Sequence, residues 1–283
     1  MKIPFTKMQG AGNDFVVIDA FSNPIELTTA QIRALADRHF GVGADQVLLV
    51  EKPTVEGADF KYRIFNQDGG EVEMCGNGAR CFAKFVREHG LTDKSRIRVE
   101  TMKGIIEPCL LDDGTVQVDM GTPVFSPSAL PFNPAGLATR EINGFRQWAV
   151  EFKGNLHWFS VCSMGNPHAT LVVDDVETAP VAELGSFIEN HPAFPRRVNV
   201  GFIQIINPRL AKVRVWERGA GETLACGTGN SAAYCTSVQL MLMEHGALLK
   251  NHGGDLKFEW EGEGMPLLMS GPAETVFESE ISI

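Results

Sequence analysis

Cys75 and Cys226 are the residues of this 283-residue chain best suited to chemistry. Each stands directly before a Gly-x-Gly phrase, Gly76-Asn-Gly78 and Gly227-Thr-Gly229, at what reads as a helix start. A thiol placed there meets unpaired backbone N–H groups and the positive end of the helix dipole, which favour the thiolate. The glycines let the backbone approach an anion such as a carboxylate. Two such thiols, one a base and the other an acid, are suited to moving a proton between the two faces of one carbon. For either cysteine alone, a small buried residue beside a glycine turn is the simpler reading.

The two cysteines belong to a duplicated phrase, which weakens that simpler reading. Lys61–Gly78 and Lys212–Gly229 overlay without a gap, and seven of the eighteen positions are identical: Lys61/Lys212, Arg63/Arg214, Gly70/Gly221, Glu71/Glu222, Cys75/Cys226, Gly76/Gly227 and Gly78/Gly229. The likeness extends upstream. Gly12-Asn13 leads into Phe15-Val-Val-Ile18 as Gly165-Asn166 leads into Thr170-Leu-Val-Val173, and Val42-Gly43-Ala-Asp-Gln46 parallels Val200-Gly201-Phe-Ile-Gln204. One order of motifs in both halves reads as a duplicated fold with small loop insertions.

A second constellation consists of neutral amides: Asn13, Asn66, Asn77, Asn166 and Asn199, with Gln46. Singly, an Asn beside Gly is a turn residue. Together, groups that both donate and accept suit recognition of ammonium and carboxylate. Arg218 can hold a carboxylate with two prongs and Glu217 an ammonium; the alternative is a surface ion pair. His168, in Gly165-Asn-Pro-His168, is either a proton-handling neighbour or a turn histidine. The glycine pairs do not make a dinucleotide fingerprint, because Cys81 and Ala232 stand where its third glycine belongs. No Cys-x-x-Cys pair or His-x3-His partner supports a metal site.

A formal charge of −10 argues against nucleic acid as a partner. The opening residues lack an apolar export segment, and no stretch is apolar for the roughly 18 residues of a membrane span. The expectation is a cytoplasmic protein that keeps its six cysteines reduced. Cys81, Cys109, Cys162 and Cys235 lack the glycine context and read as packing residues.

Strands are expected at Val47–Val50, Lys61–Phe65, Ile97–Glu100, Ile105–Leu111 and Val116–Asp119, with a hairpin turn at Asp113-Gly114 and another at Asn143-Gly144. The tail from Leu256 to Phe277 is strand-like. Thr28–His39 reads as a helix capped by Thr28, and Asn77–Glu88 as a helix ended by Gly90. The latter and its counterpart Thr228–Met243 are apolar around most of their circumference, so both are expected to be buried. Residues 1–119 form the expected first half, with 271–283 returning to it, and 120–270 the second. The Pro- and Ser-rich Thr122–Leu137 is the expected connection.

Several long phrases together resemble the diaminopimelate epimerases. They are Phe5-Thr-Lys-Met, Gly12-Asn-Asp-Phe15, Phe40-Gly-Val-Gly-Ala-Asp-Gln46, Asp68–Cys81, Gly165-Asn-Pro-His168, Glu217–Gly229 and Gly271–Phe277. The departures, Gln9, Ala11 and Gly70, touch no residue considered for catalysis. The resemblance covers essentially the whole chain. It implies two similar α/β (α+β) domains, each a mainly antiparallel, barrel-like sheet around a central helix, with the active site in the cleft between them. It also implies a cofactor-independent epimerase of lysine and peptidoglycan precursor synthesis that interconverts LL- and meso-2,6-diaminopimelate, with a homodimer as a further expectation. Cys75 and Cys226 would then be the acid/base pair. Asn13, Gln46, Asn66, Asn166, Asn199, Glu217 and Arg218 would hold the substrate, and the backbone of Gly76-Asn77 and Gly227-Thr228 its reacting carboxylate.

Three other readings compete. Proline racemase-like isomerases also use two thiols, but the long Glu217–Gly229 phrase favours the diaminopimelate branch. A redox module would place its cysteines close in sequence. A non-catalytic amino-acid binding protein would bind without exchanging a proton.

Overall fold

The computed structural model describes residues 2–283. One compact unit takes in the chain through Asp119 and again Ser270–Ile283; the other is Met120–Met269. In chain order the first stretch supplies β1 (Lys2–Gly10), β2 (Asn13–Asp19), α1 (Thr29–Ala36), β3 (Gln46–Glu51), β4 (Phe60–Asn66), β5 (Glu71–Val72), α2 (Gly76–Glu88), β6 (Val99–Thr101), β7 (Gly104–Ile106), β8 (Cys109–Leu110) and β9 (Val116–Asp119). There follow β10 (Ala138–Ile142), β11 (Phe145–Phe152), β12 (Asn155–Ser163), β13 (Pro167–Val172), α3 (Val181–Glu189), β14 (Asn199–Asn207), β15 (Leu210–Glu217), β16 (Gly221–Thr223), α4 (Gly227–Gln239), β17 (Gly246–Asn251), β18 (Gly254–Trp260) and β19 (Leu267–Gly271). Finally β20 (Glu274–Ser282) pairs antiparallel with β1.

The duplication is complete at the level of strand pairing. In the first unit β1/β2 are antiparallel, β2/β3 parallel across α1, β3/β4 and β4/β5 antiparallel, β4/β6 parallel across α2, and β6/β7 antiparallel. The second repeats the series as β12/β13, β13/β14 across α3, β14/β15, β15/β16, β15/β17 across α4, and β17/β18. The fold is the expected α+β duplication, each half a mainly antiparallel sheet on a buried helix.

Register corrects one detail of the repeat. Gln46 pairs with Phe15, two residues after Asn13, and Asn199 pairs with His168, two after Asn166. The counterpart of Gln46 is therefore Asn199, not the Gln204 suggested by the Val-Gly phrase. A one-residue shift flips every side chain of a strand, so pairing outranks local similarity.

Local chemistry explains the helices. Thr28 and Gln31 form a reciprocal capping box at the start of α1. The helix stops three residues before the expected His39, because the Asp37 carboxylate takes the N–H groups of His39 and Phe40. α2 is buried, its Phe82 and Phe85 sharing a core cluster with Phe60 and Tyr62 of β4. α4 is buried too, and its Ser231, Thr236 and Ser237 hydroxyls bond back to carbonyls one turn earlier. It ends at Gln239, short of the expected Met243, where Met241 turns left-handed at φ 59° and Asn143 donates to the Leu240 carbonyl.

Two expectations fail for physical reasons, and one helix was not expected. Ile105–Leu111 is split between β7 and β8, because Pro108 has no N–H and its carbonyl accepts from Ile97. Thr122–Leu137 is no linker: it lies within the second unit, where Leu130 and Phe132 enter the core. The sequence reading missed α3, which lacks a side-chain cap and carries Gly185 in mid-helix. That glycine is needed, since a Cβ there would lie 2.7 Å from Cβ of Trp216. Val181, Leu184 and Ile188 were the available signal. Among the described residues, no helix is long and apolar enough to cross a membrane.

Candidate active site

In the first half, Cys75 is the N-cap of α2 in extended conformation, and its side chain makes no cap bond. Its backbone is gripped from β4: the Tyr62 hydroxyl accepts from the Cys75 N–H at 3.3 Å and donates to the Cys75 carbonyl at 3.4 Å. Its sulfur donates to Oδ1 of Asn13 at 3.5 Å, an oxygen that also accepts from Asn77 at 3.3 Å. Asn13 is oriented by Asp45, which takes its Nδ2 at 2.9 Å. Arg38 bonds both Asp45 and Asp14. Burial works against ionising Asp14, but hydrogen bonds from Arg38 and Lys7 hold its carboxyl far below the usual range.

Gln46 and Asn66 face each other across β3 and β4, with Gln46 Nε2 donating to Asn66 Oδ1 at 2.9 Å. Gln46 Oε1 and Asn77 Oδ1 are buried with no partner. Buried acceptors left open in this way suit a ligand that donates to them.

In the second half, Cys226 caps α4 with the same extended backbone and is 7% exposed. Its sulfur lies 3.7 Å from the Thr228 hydroxyl, which accepts from Asn166 at 3.3 Å. Asn166 Oδ1 in turn meets Nε2 of His168 at 2.9 Å. His168 is buried, and burial first, with Arg218 adding to it, pushes its pKa down to about 3. It is a neutral imidazole that orients Asn166. Asn199 donates to the Pro167 carbonyl and accepts from the Arg218 N–H at 2.9 Å. Glu217 accepts from Thr223 at 2.6 Å, while the Arg218 guanidinium bonds the Arg196 carbonyl. The two adjacent charges turn to separate partners.

The expectation that both helix termini favour a thiolate is corrected at Cys226. Burial pushes this thiol well up, and the neighbouring Glu217 charge adds to the effect, outweighing the Gly229 N–H. Desolvation beats the dipole because the dipole is worth at most about 2 kcal/mol. Cys226 rests as a thiol.

The helix-start glycines divide in function. A Cβ on Gly78 would lie 2.7 Å from the Tyr62 hydroxyl, and one on Gly229 2.9 Å from Cγ1 of Val215. The second glycine of each phrase thus allows helix and strand to touch. Gly76 and Gly227 are buried first residues of their helices, ahead of the first backbone bonds Ala79→Cys75 and Asn230→Cys226. Their N–H groups belong to the unpaired set of a helix N-terminus.

Sequence reading overlooked Tyr62, Asp45 and Thr223. The Tyr62 signal was a mismatch inside the repeat, where the second half has Val213. Burial pushes the thiols of Cys81 and Cys162 up to about 12, so these are inert packing residues. Among the described residues, no three His, Cys, Asp or Glu are grouped to hold a metal ion.

Two like halves, each with a cysteine at the start of a buried helix, make a fold that this chain shares with solved proteins, an epimerase among them. The solved hydroxyproline epimerase from Agrobacterium vitis superposes with a TM-score of 0.69 at 15% identity, covering 100% of this chain and 93% of that one. A phenazine biosynthesis protein of the PhzF family from Bacillus anthracis superposes at 0.67 with 16% identity, covering 100% of both. The sequence profile of diaminopimelate epimerase matches residues 5–126 and 160–276. The chain belongs to the diaminopimelate epimerase family. It is 58% identical to the diaminopimelate epimerase of Paraburkholderia xenovorans, covering 100% of this chain and 99% of that one. It is 56% identical to that of Ralstonia pickettii, covering 100% and 97%.

Proposed function

We propose that the protein interconverts LL- and meso-2,6-diaminopimelate by proton transfer between Cys75, Cys226 and one α-carbon, without an imine cofactor. The observation that carries this is the pair of cysteines at repeat-equivalent positions, each the N-cap of a buried helix. One thiolate removes the α-proton and becomes a thiol, leaving an enediolate. The opposite thiol then delivers its proton to the other face and becomes the thiolate. No atom is gained or lost, and the enzyme ends with its two protonation states exchanged.

The difficulty is thermodynamic. An amino-acid α-proton is roughly ten units less acidic than a thiol, a gap of about 14 kcal/mol. N–H groups of Gly76-Asn77 and Gly227-Thr228, directed at the carboxylate, stabilise charge as it develops there. Asn13, Gln46, Asn66, Asn166, Asn199, Glu217 and Arg218 offer amides, a carboxylate and a guanidinium to the amino-acid groups. Gln46 Oε1 and Asn77 Oδ1, buried and unpaired, are acceptors for an ammonium or an amide. His168 supports the site by orienting Asn166 and takes no proton near neutrality.

The deciding experiment is incubation of purified protein with LL-diaminopimelate in deuterium oxide, followed by NMR. Deuterium at one α-carbon together with appearance of the meso isomer is expected. Binding without label would support the amino-acid binding protein instead, and a cysteine pair cycling to a disulfide without label the redox module.

A further inference from the structure

Four of the seven identities in the duplicated phrase lie upstream of the cysteine motif: Lys61/Lys212, Arg63/Arg214, Gly70/Gly221 and Glu71/Glu222. The acid/base chemistry uses none of them. The arginines and glutamates form the same object twice. Arg63 Nε and Nη2 donate to the two carboxylate oxygens of Glu71, both at 2.8 Å. Arg214 Nε and Nη2 donate to the two oxygens of Glu222, at 2.6 and 2.9 Å. In each case the remaining Nη1 reaches another segment of its own half: Glu51 Oε1 on β3 for Arg63, and the Val176 carbonyl after β13 for Arg214.

The placement is what matters. Glu71 lies on β5 and Glu222 on β16, short strands of two and three residues that lead into the cysteine loops. β5 pairs with β4 only through Ile64↔Val72 and Phe65↔Glu71; β16 pairs through Val215↔Thr223, Trp216↔Glu222 and Glu217↔Gly221. Each arginine sits two residues before the position facing its glutamate, so the contact is a diagonal across the hairpin. A one-residue slip would turn the glutamate to the other face. So short a ladder is weakly specified by its backbone bonds, and the two-pronged contact demands one geometry. Each cysteine follows its glutamate by four residues and has no side-chain cap of its own.

We propose that Arg63–Glu71 and Arg214–Glu222 are positioning clamps, each fixing the hairpin from which the cysteine of its own half springs. This builds on the two-cysteine reading of the site. The clamps touch neither sulfur; they act through the strand register of β5 and β16. Their recurrence in both halves follows from a requirement that both sulfurs meet one carbon within a fraction of an ångström.

Glu71→Gln and Glu222→Gln, each made in the full-length protein, test the proposal. Iodoacetamide alkylation of each cysteine, followed by mass spectrometry without substrate, is the first readout. Glu71→Gln is expected to change the alkylation rate of Cys75 by about threefold or more and leave Cys226 unchanged, with the reverse for Glu222→Gln. The second readout is diaminopimelate epimerisation, where kcat should fall about tenfold or more with KM altered much less. Arg63→Lys, which keeps the charge but loses the fork, should reproduce the Glu71→Gln loss, and the Arg63→Glu/Glu71→Arg exchange should recover part of it. Unchanged alkylation at both cysteines, or equal change at both from either substitution, overturns the proposal. A lowered Tm with kcat intact does so too, by leaving the clamps a purely structural role. The alkylation readout stays decisive even if diaminopimelate is not the substrate. Should a glutamine variant fail to fold, the Arg63→Lys alkylation pattern decides.

Discussion

The Tyr62 hydroxyl bonds both the N–H and the carbonyl of Cys75, at 3.3 and 3.4 Å, and so fixes the backbone of a residue whose side chain is left to other work. The second half has Val213 at the equivalent position and no such grip. Tyr62→Phe should therefore affect one cysteine only. Loss of the two hydroxyl hydrogen bonds costs about 1–3 kcal/mol. Urea denaturation should show that loss, and iodoacetamide should find Cys75 altered with Cys226 as before.

Cys75→Ser and Cys226→Ser should each lower turnover by about a thousandfold or more, since a hydroxyl is a far weaker acid than a thiol. Circular dichroism should show the fold intact. Wild-type turnover in either single variant would end the two-base assignment.

His168 makes stability fall on the acid side. Burial lowers its pKa from 6.5 to about 3, so the unfolded chain binds the proton first as pH drops. The stability conferred by a neutral His168 is whole above pH 6.5 and is lost progressively towards pH 3, at about 1.4 kcal/mol per unit. His168→Phe, which copies Phe15 of the first half, should flatten the slope of unfolding free energy between pH 6.5 and 4. The same variant should slow epimerisation, since Asn166 loses the group that orients it. An unchanged slope would show that His168 is protonated in the folded protein.

Gly78→Ala and Gly229→Ala should each destabilise by about 1–3 kcal/mol, because a Cβ meets the Tyr62 hydroxyl or Val215 at under 3.0 Å. Gly227→Ala is the control: its Cβ would find Met269 Cε at an ordinary 3.5 Å. Thermal melts of the three variants should separate the control from the other two.

Much of this molecule was legible in one dimension because its signals are short-range. The capping box of Thr28 and Gln31, the hairpin turns at Asp113-Gly114 and Asn143-Gly144, and the burial of the cysteine helices depend on residues within a few positions of one another. α3 was hidden because its close contact with Trp216 demanded a glycine that weakens every local helix signal. Asn13, Asn77 and Cys75 could each be singled out in the sequence, but their meeting at one oxygen depends on strands and a helix more than sixty residues apart.

The chain alone determined that the fold is doubled, that each half carries a cysteine at a helix start, and which family it resembles. Those properties reside in residue identity and spacing. Only the tertiary structure decided that Gln46 corresponds to Asn199, that Cys226 keeps its proton, and that Gly78 and Gly229 exist for close packing. Strand register and desolvation are set by partners distant in the chain, and no local pattern encodes the partner that will arrive.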